Sequence, residues 1–338
     1  MTADPILEVR DLRVEFSLGR GVLRAVEGAS FDLQRGEALG VVGESGSGKT
    51  MALRALIGLL PRQARLAGGE ILFEGEDLAR VSHERLRRIR GQEISMIFQE
   101  PLTALNPVMR VGDQIAEGPA IRGGYSRQRA RERALELMRL AGIPDPERRY
   151  EAYPHELSGG MQQRVMIAIA LALEPKIILC DEPTTALDVT IQDQILKLLL
   201  SLRERLQVSI VFVSHDLAVV AQTCQRVAVM YAGQVVETGP IDEVFHEPRH
   251  PYTLSLLRSV PDFDVVRERL LSIPGTPPDL ASPPPGCRFH PRCPFMQPDC
   301  TSGDFPLVPV VGAARATACI HSEASVADVR REPVIADA

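Results

Sequence analysis

The sequence predicts an α/β fold: a mostly parallel sheet wound on both faces by helices, with a helix-rich stretch in its middle and a small C-terminal appendage. Three observations carry this. Apolar residues 38–42 run straight into the glycine-rich octapeptide GESGSGKT at 43–50 and on into a helical pattern. A second apolar run, residues 176–180, ends in two adjacent acids, Asp181 and Glu182. Further apolar strands at 94–98, 208–213 and 227–231 are interleaved with helix-period segments such as 191–206, the order that builds a doubly wound core.

The 338 residues, 45% hydrophobic and 24% charged, suffice for a sizeable core and suggest one large domain with an appendage, or two domains. A formal net charge of −6 argues against a general nucleic-acid binder, which needs a clustered basic surface. The Arg85, Arg87, Arg88, Arg90 run reads as the solvated face of a helix. The N-terminal MTADPILEVRDLRV lacks the apolar run of a secretory signal, and the apolar stretch at 166–173 stops at Glu174, short of a membrane span. The expectation is a cytosolic chain that reaches a membrane only through a partner. Its six cysteines are then thiols or metal ligands before disulfides.

Element by element, residues 38–42 form a buried strand and residues 50–60 a helix stopping before Pro61, with the glycine-rich loop between them. Gly43, Gly46 and Gly48 let backbone N–H groups close on phosphate oxygens, and Glu44, Ser45, Ser47 and Met51 complete the cradle. Lys49, one of only three lysines beside 35 arginines, supplies a point charge for the outer phosphates. Thr50 supplies a hydroxyl ligand for Mg²⁺. Gln99 closes the strand at 94–98. Residues 127–141 carry Ala130, Ala134, Leu137 and Met138 at helical spacing. LSGGMQQR at 157–164 puts Ser158, Gly159 and Gly160 at the start of a helix running through 161–173, where free N–H groups make an anion site. Asp181 and Glu182 stand at the C-terminal end of a buried parallel strand, the edge where open α/β sheets bind ligands. His215 follows the 208–213 strand in the sequence VSHD.

The order and spacing of GESGSGKT, LSGGMQQR and IILCDEP resemble the ATP-binding subunits of ABC transporters, over about the first 240 residues. The resemblance implies a P-loop NTPase core at 1–240 with a helical subdomain at about 100–165. It makes Asp181 a Mg²⁺ holder alongside Thr50 and Gln99, and Glu182 the residue that orients or deprotonates the attacking water. His215 becomes a switch histidine donating to the γ-phosphate, and Gln99 its sensor. Asp188, in TTALDVT, becomes the contact to the opposite subunit that helps arrange the water. Ser158, Gly159, Gly160 and Gln162 would cap a γ-phosphate held by a second ATPase subunit, a heterodimer partner or a second copy. Phe16, in LRVEF at 12–16, is the candidate for stacking on adenine, with a core role as its alternative. The loop 100–115, with Pro101 and Pro107, would receive a permease helix.

Beyond residue 240, EPRHPYTLSLL at 247–257 and PGTPPDL at 274–280 resemble the C-terminal extension of oligopeptide and dipeptide importer ATPases. Residues 272–287 hold six prolines in sixteen positions, which favours a stiff connector. Cys287, Cys293, Cys300 and Cys319 follow, without CxxC spacing, in a stretch too short for its own core. Four thiols there suggest a metal-organised loop. The resemblance points to a [4Fe–4S] cluster with Arg288 and Arg292 offsetting thiolate charge. A zinc site drawing on His290 or His321, and unligated thiols, are the alternatives. Cys180 and Cys224 read as core thiols in a strand and a helix.

The implied activity is Mg²⁺-dependent ATP hydrolysis driving import of di- or oligopeptides. The implied partners are two transmembrane permease subunits and, indirectly, an extracytoplasmic solute-binding protein, with this chain peripheral on the cytoplasmic face. Nickel and sugar importers share much of the pattern. A soluble ABC ATPase acting on ribosomes or DNA would carry paired ATPase units or a coiled-coil insertion, and neither is present in the sequence. A binding-only member is disfavoured by the presence together of Lys49, Gln99, Ser158, Glu182 and His215.

Overall fold

The structure, a computed structural model, describes residues 4–19, 21–185, 187–260 and 272–331; residues 261–271 and 332–338 of the C-terminal region lie outside them. Two compact units interleave along the chain. The first takes residues 1–33, 38–80 and 214–338, the second residues 34–37 and 81–213.

The first unit opens with the hairpin β1 (Leu7–Leu18) and β2 (Gly21–Leu33). β1 pairs antiparallel with both β2 and β4 (Ala64–Phe73), and β5 (Glu76–Asp77) completes a four-stranded sheet in the order β2-β1-β4-β5. Ser17 pairs with Val22 and Leu18 with Gly21, so the two strands run together to the end of a hairpin. Between these strands lie β3 (Ala38–Val42), fully buried, and α1 (Lys49–Leu56). α1 is shorter than the expected 50–60. Gly58 adopts a left-handed φ of 62°, and the Leu59 N–H returns to the Arg54 carbonyl at 2.8 Å, a glycine stop that ends the helix well before Pro61.

The second unit runs through α2 (His83–Gln92), β6 (Ile94–Ile97), α3 (Pro101–Ala104), α4 (Val111–Ile121), α5 (Arg127–Leu140), α6 (Pro146–Tyr150), α7 (Gly159–Ala170), β7 (Ile177–Asp181), α8 (Val189–Leu206) and β8 (Ser209–Ser214). The arginine-rich face is α2, whose first turn Ser82 caps by accepting from the Arg85 N–H at 3.2 Å. β6, β7 and β8 are parallel neighbours, with Ile97 opposite Cys180 and Asp181 opposite Val213. On α5 the four buried residues are Ala130, Ala134, Leu137 and Met138, as the periodicity predicts. Tyr150 fixes α6 to α4 by donating its hydroxyl to Asp113 at 3.0 Å, and Arg131 of α5 stacks on its ring at 4.1 Å.

The chain then returns to the first unit with α9 (Leu217–Thr223), β9 (Arg226–Tyr231), β10 (Gln234–Pro240), α10 (Ile241–His246) and α11 (Pro251–Arg258). After the proline-rich connector come β11 (Val308–Pro309), β12 (Ala316–Thr317) and α12 (Ser322–Arg331). The strand order is β11-β12-β10-β9-β3, with β3 and β9 parallel. Cys224 is buried but lies one residue past α9, capping it, rather than within the helix. Among the described residues, no helix is long and apolar enough to cross a membrane.

Candidate functional site

In the first unit, β3 delivers the chain into the glycine-rich loop 43–50 at its C-terminal end. Gly48 takes φ 101°, and a Cβ there would meet the Ala25 carbonyl oxygen at 2.4 Å, so both the conformation and the space demand glycine. Lys49 is buried, and its ammonium donates to the carbonyl oxygens of Gly43 at 2.7 Å and Glu44 at 2.9 Å and to Ser47 Oγ at 3.3 Å. Ser45 and Gly46 are exposed at the loop's crest, Ser47 is buried, and Thr50 and Met51 occupy the first turn of α1. Such a loop is a concave array of amides with a cation already folded over it, the arrangement a polyphosphate needs. His215 is exposed immediately after β8, next to Asp216, which caps α9 through the N–H groups of Ala218 and Val219. Phe16 is half-buried in β1, opposite Leu23 of β2 and Ala64 of β4.

In the second unit, the in-register parallel strands bring the ends of β6 and β7 to one sheet edge. Gln99, exposed beyond β6, donates its carboxamide N–H to Glu182 Oε2 at 3.4 Å. Thr185, which sequence reasoning did not single out, donates its hydroxyl to the same oxygen at 2.9 Å. Glu182 has the left-handed φ of 46°, a strained turn that lifts its carboxylate off the strand while Asp181 stays buried on it. Asp188 caps α8, accepting from the Ile191 N–H at 2.9 Å. Glu182 therefore has the setting of an oriented base.

Ser158 is exposed at the N-cap of α7, and its hydroxyl makes no capping bond to its own helix. Gly159 and Gly160 form the first turn, with Gly159 exposed and Gly160 half-buried against Ile191 of α8, where a Cβ would meet its Cγ2 at 2.6 Å. Gln162 is buried and donates to the carbonyl oxygens of Pro154 at 2.8 Å and Leu157 at 3.2 Å, bracing the turn that presents Ser158. Residues 100–115, expected as a loop, instead hold α3 and the start of α4; between the two helices Gln114 accepts from the Asn106 N–H and donates to the Asn106 and Met109 carbonyls, holding a turn on which Val108 is 82% exposed.

In the C-terminal part of the first unit, Cys287, Cys293, Cys300 and Cys319 line one small cavity with His250, Phe289, Phe295, His290 and His321. Burial, then the neighbouring sulfurs, push the Cys293 thiol up to about 11 and the Cys319 thiol up to about 12; Cys287 is also raised. Four thiols in one enclosure are the donors an iron–sulfur cluster takes, and His250, His290 and His321 on the same lining add the nitrogen donors that zinc takes. A tetrahedral zinc site would hold sulfurs about 3.8 Å apart. Among the described residues the group of ligating atoms lying within 4.8 Å of one another is instead Asp299, Cys300 and His321, a trio that spacing along the chain did not suggest. The two arginines expected to balance thiolates are engaged elsewhere. Arg288 pairs with Glu27 and donates to the Ala232 carbonyl, and Arg292 pairs with Glu44 of the phosphate loop.

Residues 26–185 match the family described as ABC transporter, and residues 236–300 match the oligopeptide/dipeptide transporter C-terminal region. The chain is 52% identical over 286 residues to the oligopeptide transport ATP-binding protein OppD of Bacillus subtilis, covering 84% of this chain and 80% of that one. It is 51% identical over 292 residues to the dipeptide transport ATP-binding protein DppD of the same organism, covering 86% and 87%. Among solved structures, it is similar to the ATP-binding cassette MJ0796, a dimer in a post-hydrolysis state bound to ADP and Pi. The TM-score is 0.63, with 29% identity, over 70% of this chain and 98% of that one.

Proposed function

The chain belongs to the ATP-binding proteins of the ABC transporter family, and from that premise we propose that it hydrolyses ATP to power the import of di- or oligopeptides through a membrane permease. The observation that carries the hydrolytic part is the Glu182 carboxylate at the end of β7, held at one oxygen by Thr185 and Gln99. The peptide part is supported by the match of residues 236–300 together with about half identity to oligopeptide and dipeptide transport ATP-binding proteins along most of the chain.

In this reading the amides of 43–50 and the Lys49 ammonium bind the triphosphate, and Thr50, Gln99 and Asp181 hold its Mg²⁺. Glu182 orients the water and accepts its proton as it attacks the γ-phosphorus, while His215 donates to the γ-phosphate oxygens. Ser158, Gly159 and Gly160 cap a triphosphate bound by a second ATPase subunit, and Asp188 faces that subunit. The uncapped Ser158 hydroxyl at the α7 start supports this. Closure on ATP and opening after hydrolysis then drive two permease subunits, docked at residues 100–115 on the cytoplasmic face of the membrane and fed by a solute-binding protein. Phe16 stacks on adenine.

Cys287, Cys293, Cys300 and Cys319 would hold a [4Fe–4S] cluster, which would supply covalent cross-links to this short segment. Iron and sulfide analysis of protein purified without oxygen tests this, and a zinc-only result would defeat it. For transport, uptake of a labelled dipeptide is compared in cells carrying the unmodified chain or Glu182→Gln. Dipeptide uptake should depend on the chain and stop in the variant. Unchanged peptide uptake with lost nickel uptake would overturn the substrate class.

A further inference from the structure

The phosphate loop is tied at one residue to a segment far downstream. Arg292 Nη1 and Nη2 donate to Glu44 Oε2 at 2.8 Å and Oε1 at 3.0 Å, a two-pronged pair spanning 248 residues of sequence. The Arg292 side chain is 4% exposed and that of Glu44 25%. The rest of the guanidinium is spoken for as well: Nε donates to the Pro274 carbonyl at 2.8 Å, Nη1 to the Tyr231 hydroxyl at 3.3 Å and Nη2 to the Ile273 carbonyl at 3.4 Å. A planar fork fixed by five bonds has one orientation, and so does the carboxylate it grips.

The Glu44 backbone is held as firmly. Its N–H donates to the hydroxyl of Tyr252 at 2.8 Å, and its carbonyl accepts from Lys49 at 2.9 Å. Tyr252 is fully buried, packed against Tyr231 at 4.5 Å and Phe289 at 5.4 Å between ring centroids. The side chain, N–H and C=O of one loop residue are thus each bonded to a different partner. Lys49 carries three donors and can redirect them from the Gly43 and Glu44 carbonyls to a phosphate. Arg292 and Tyr252 are the partners that stay.

We infer that Arg292, with Tyr252, is a positioning residue for ATP: through Glu44 it holds the phosphate loop in its binding shape, so the C-terminal segment sets nucleotide affinity. This rests on the reading of 43–50 as an ATP phosphate loop. Because the clamp acts on the bound substrate and on the transition state alike, its loss weakens affinity and spares turnover at saturation.

The test measures MgATP affinity of the full chain, by competition with trinitrophenyl-ATP, alongside KM and kcat for hydrolysis. Arg292→Met should raise Kd and KM about tenfold with kcat within about twofold, and Arg292→Lys, which keeps the charge but not the fork, should recover part of the loss. In a Glu44→Gln background the further change to Arg292→Met should cost little, because the shared partner is already weakened. Tyr252→Phe, which removes one oxygen, should raise Kd about threefold and carries the test if Arg292→Met does not fold. Unchanged affinity in folded Arg292→Met or Tyr252→Phe, or a full further loss in the Glu44→Gln background, would overturn the inference. No MgATP binding by the unmodified chain would instead overturn the functional reading on which it rests.

Discussion

Thr185 donates its hydroxyl to Glu182 Oε2 at 2.9 Å from within the same turn, and Gln99 reaches that oxygen from the end of β6 at 3.4 Å. One oxygen of the carboxylate is thereby fixed, which orients the whole group. Glu182→Gln keeps shape and hydrogen bonding but removes the basic oxygen. Turnover should fall at least about a hundredfold, with MgATP affinity within about twofold of the unmodified chain. Phosphate release and equilibrium nucleotide binding check this, and unchanged release would remove Glu182 from the base role.

Gly48→Ala tests the phosphate loop itself. The new methyl would sit 2.4 Å from the Ala25 carbonyl oxygen on a residue with φ 101°, so the loop must shift away from its cradle shape. MgATP affinity should drop more than about tenfold while far-ultraviolet circular dichroism stays native, since the strain of about 1–3 kcal/mol is local. Normal affinity would show that the loop tolerates a different path.

What was legible in the sequence was local. The strand at 38–42, the acids ending β7 and the Ser158 turn each depend on neighbouring residues, and they lie where the motifs put them. Pro61 predicts a longer helix after the phosphate loop than the structure has, because Gly58 ends it first. The role of Arg292 is hidden from the sequence for a different reason. Its partner is 248 residues away, and no periodicity or spacing links a proline-rich C-terminal segment to Glu44. Thr185 escaped notice because a threonine in TTALDVT has no signature until the turn at Glu182 aims its hydroxyl. Contacts that join distant stretches of chain are written in the packing, not in any one window of residues.

Glu237 gives the fold a pH dependence. It is fully buried in β10, its two oxygens accept from the backbone N–H groups of Arg249 at 2.7 Å and His250 at 2.9 Å, and burial pushes its carboxyl up to about 7. A folded-state value above the unfolded 4.5 means that the folded chain holds the proton longer. Its contribution is whole below about 4.5 and is lost as pH rises to about 7. Glu237→Gln cannot ionise, so relative to the unmodified chain it should gain on the order of 3 kcal/mol between pH 4.5 and pH 7.5. Melting temperatures of both proteins at pH 5 and pH 8 check the sign; a constant difference would show that Glu237 does not titrate in this window.

Cys293→Ser separates the cysteine cavity from the clamp beside it. Cys293 directly follows Arg292 and shares its cavity with Phe289, whose ring packs on Tyr252. If a bound metal group organises this loop, losing one thiolate should lower metal content about tenfold or more. The loop would then hold Arg292 less firmly, and MgATP affinity should fall in the same direction as in Arg292→Met. The reverse does not hold, because Arg292 contributes no ligand and its bonds go to Glu44, Tyr231 and the carbonyls of residues 273 and 274. Arg292→Met should therefore lose affinity while keeping its metal. Metal analysis and nucleotide binding on both variants check this asymmetry. Full affinity in a metal-depleted Cys293→Ser protein would mean that the clamp stands on the fold of α11 and the aromatic cluster alone.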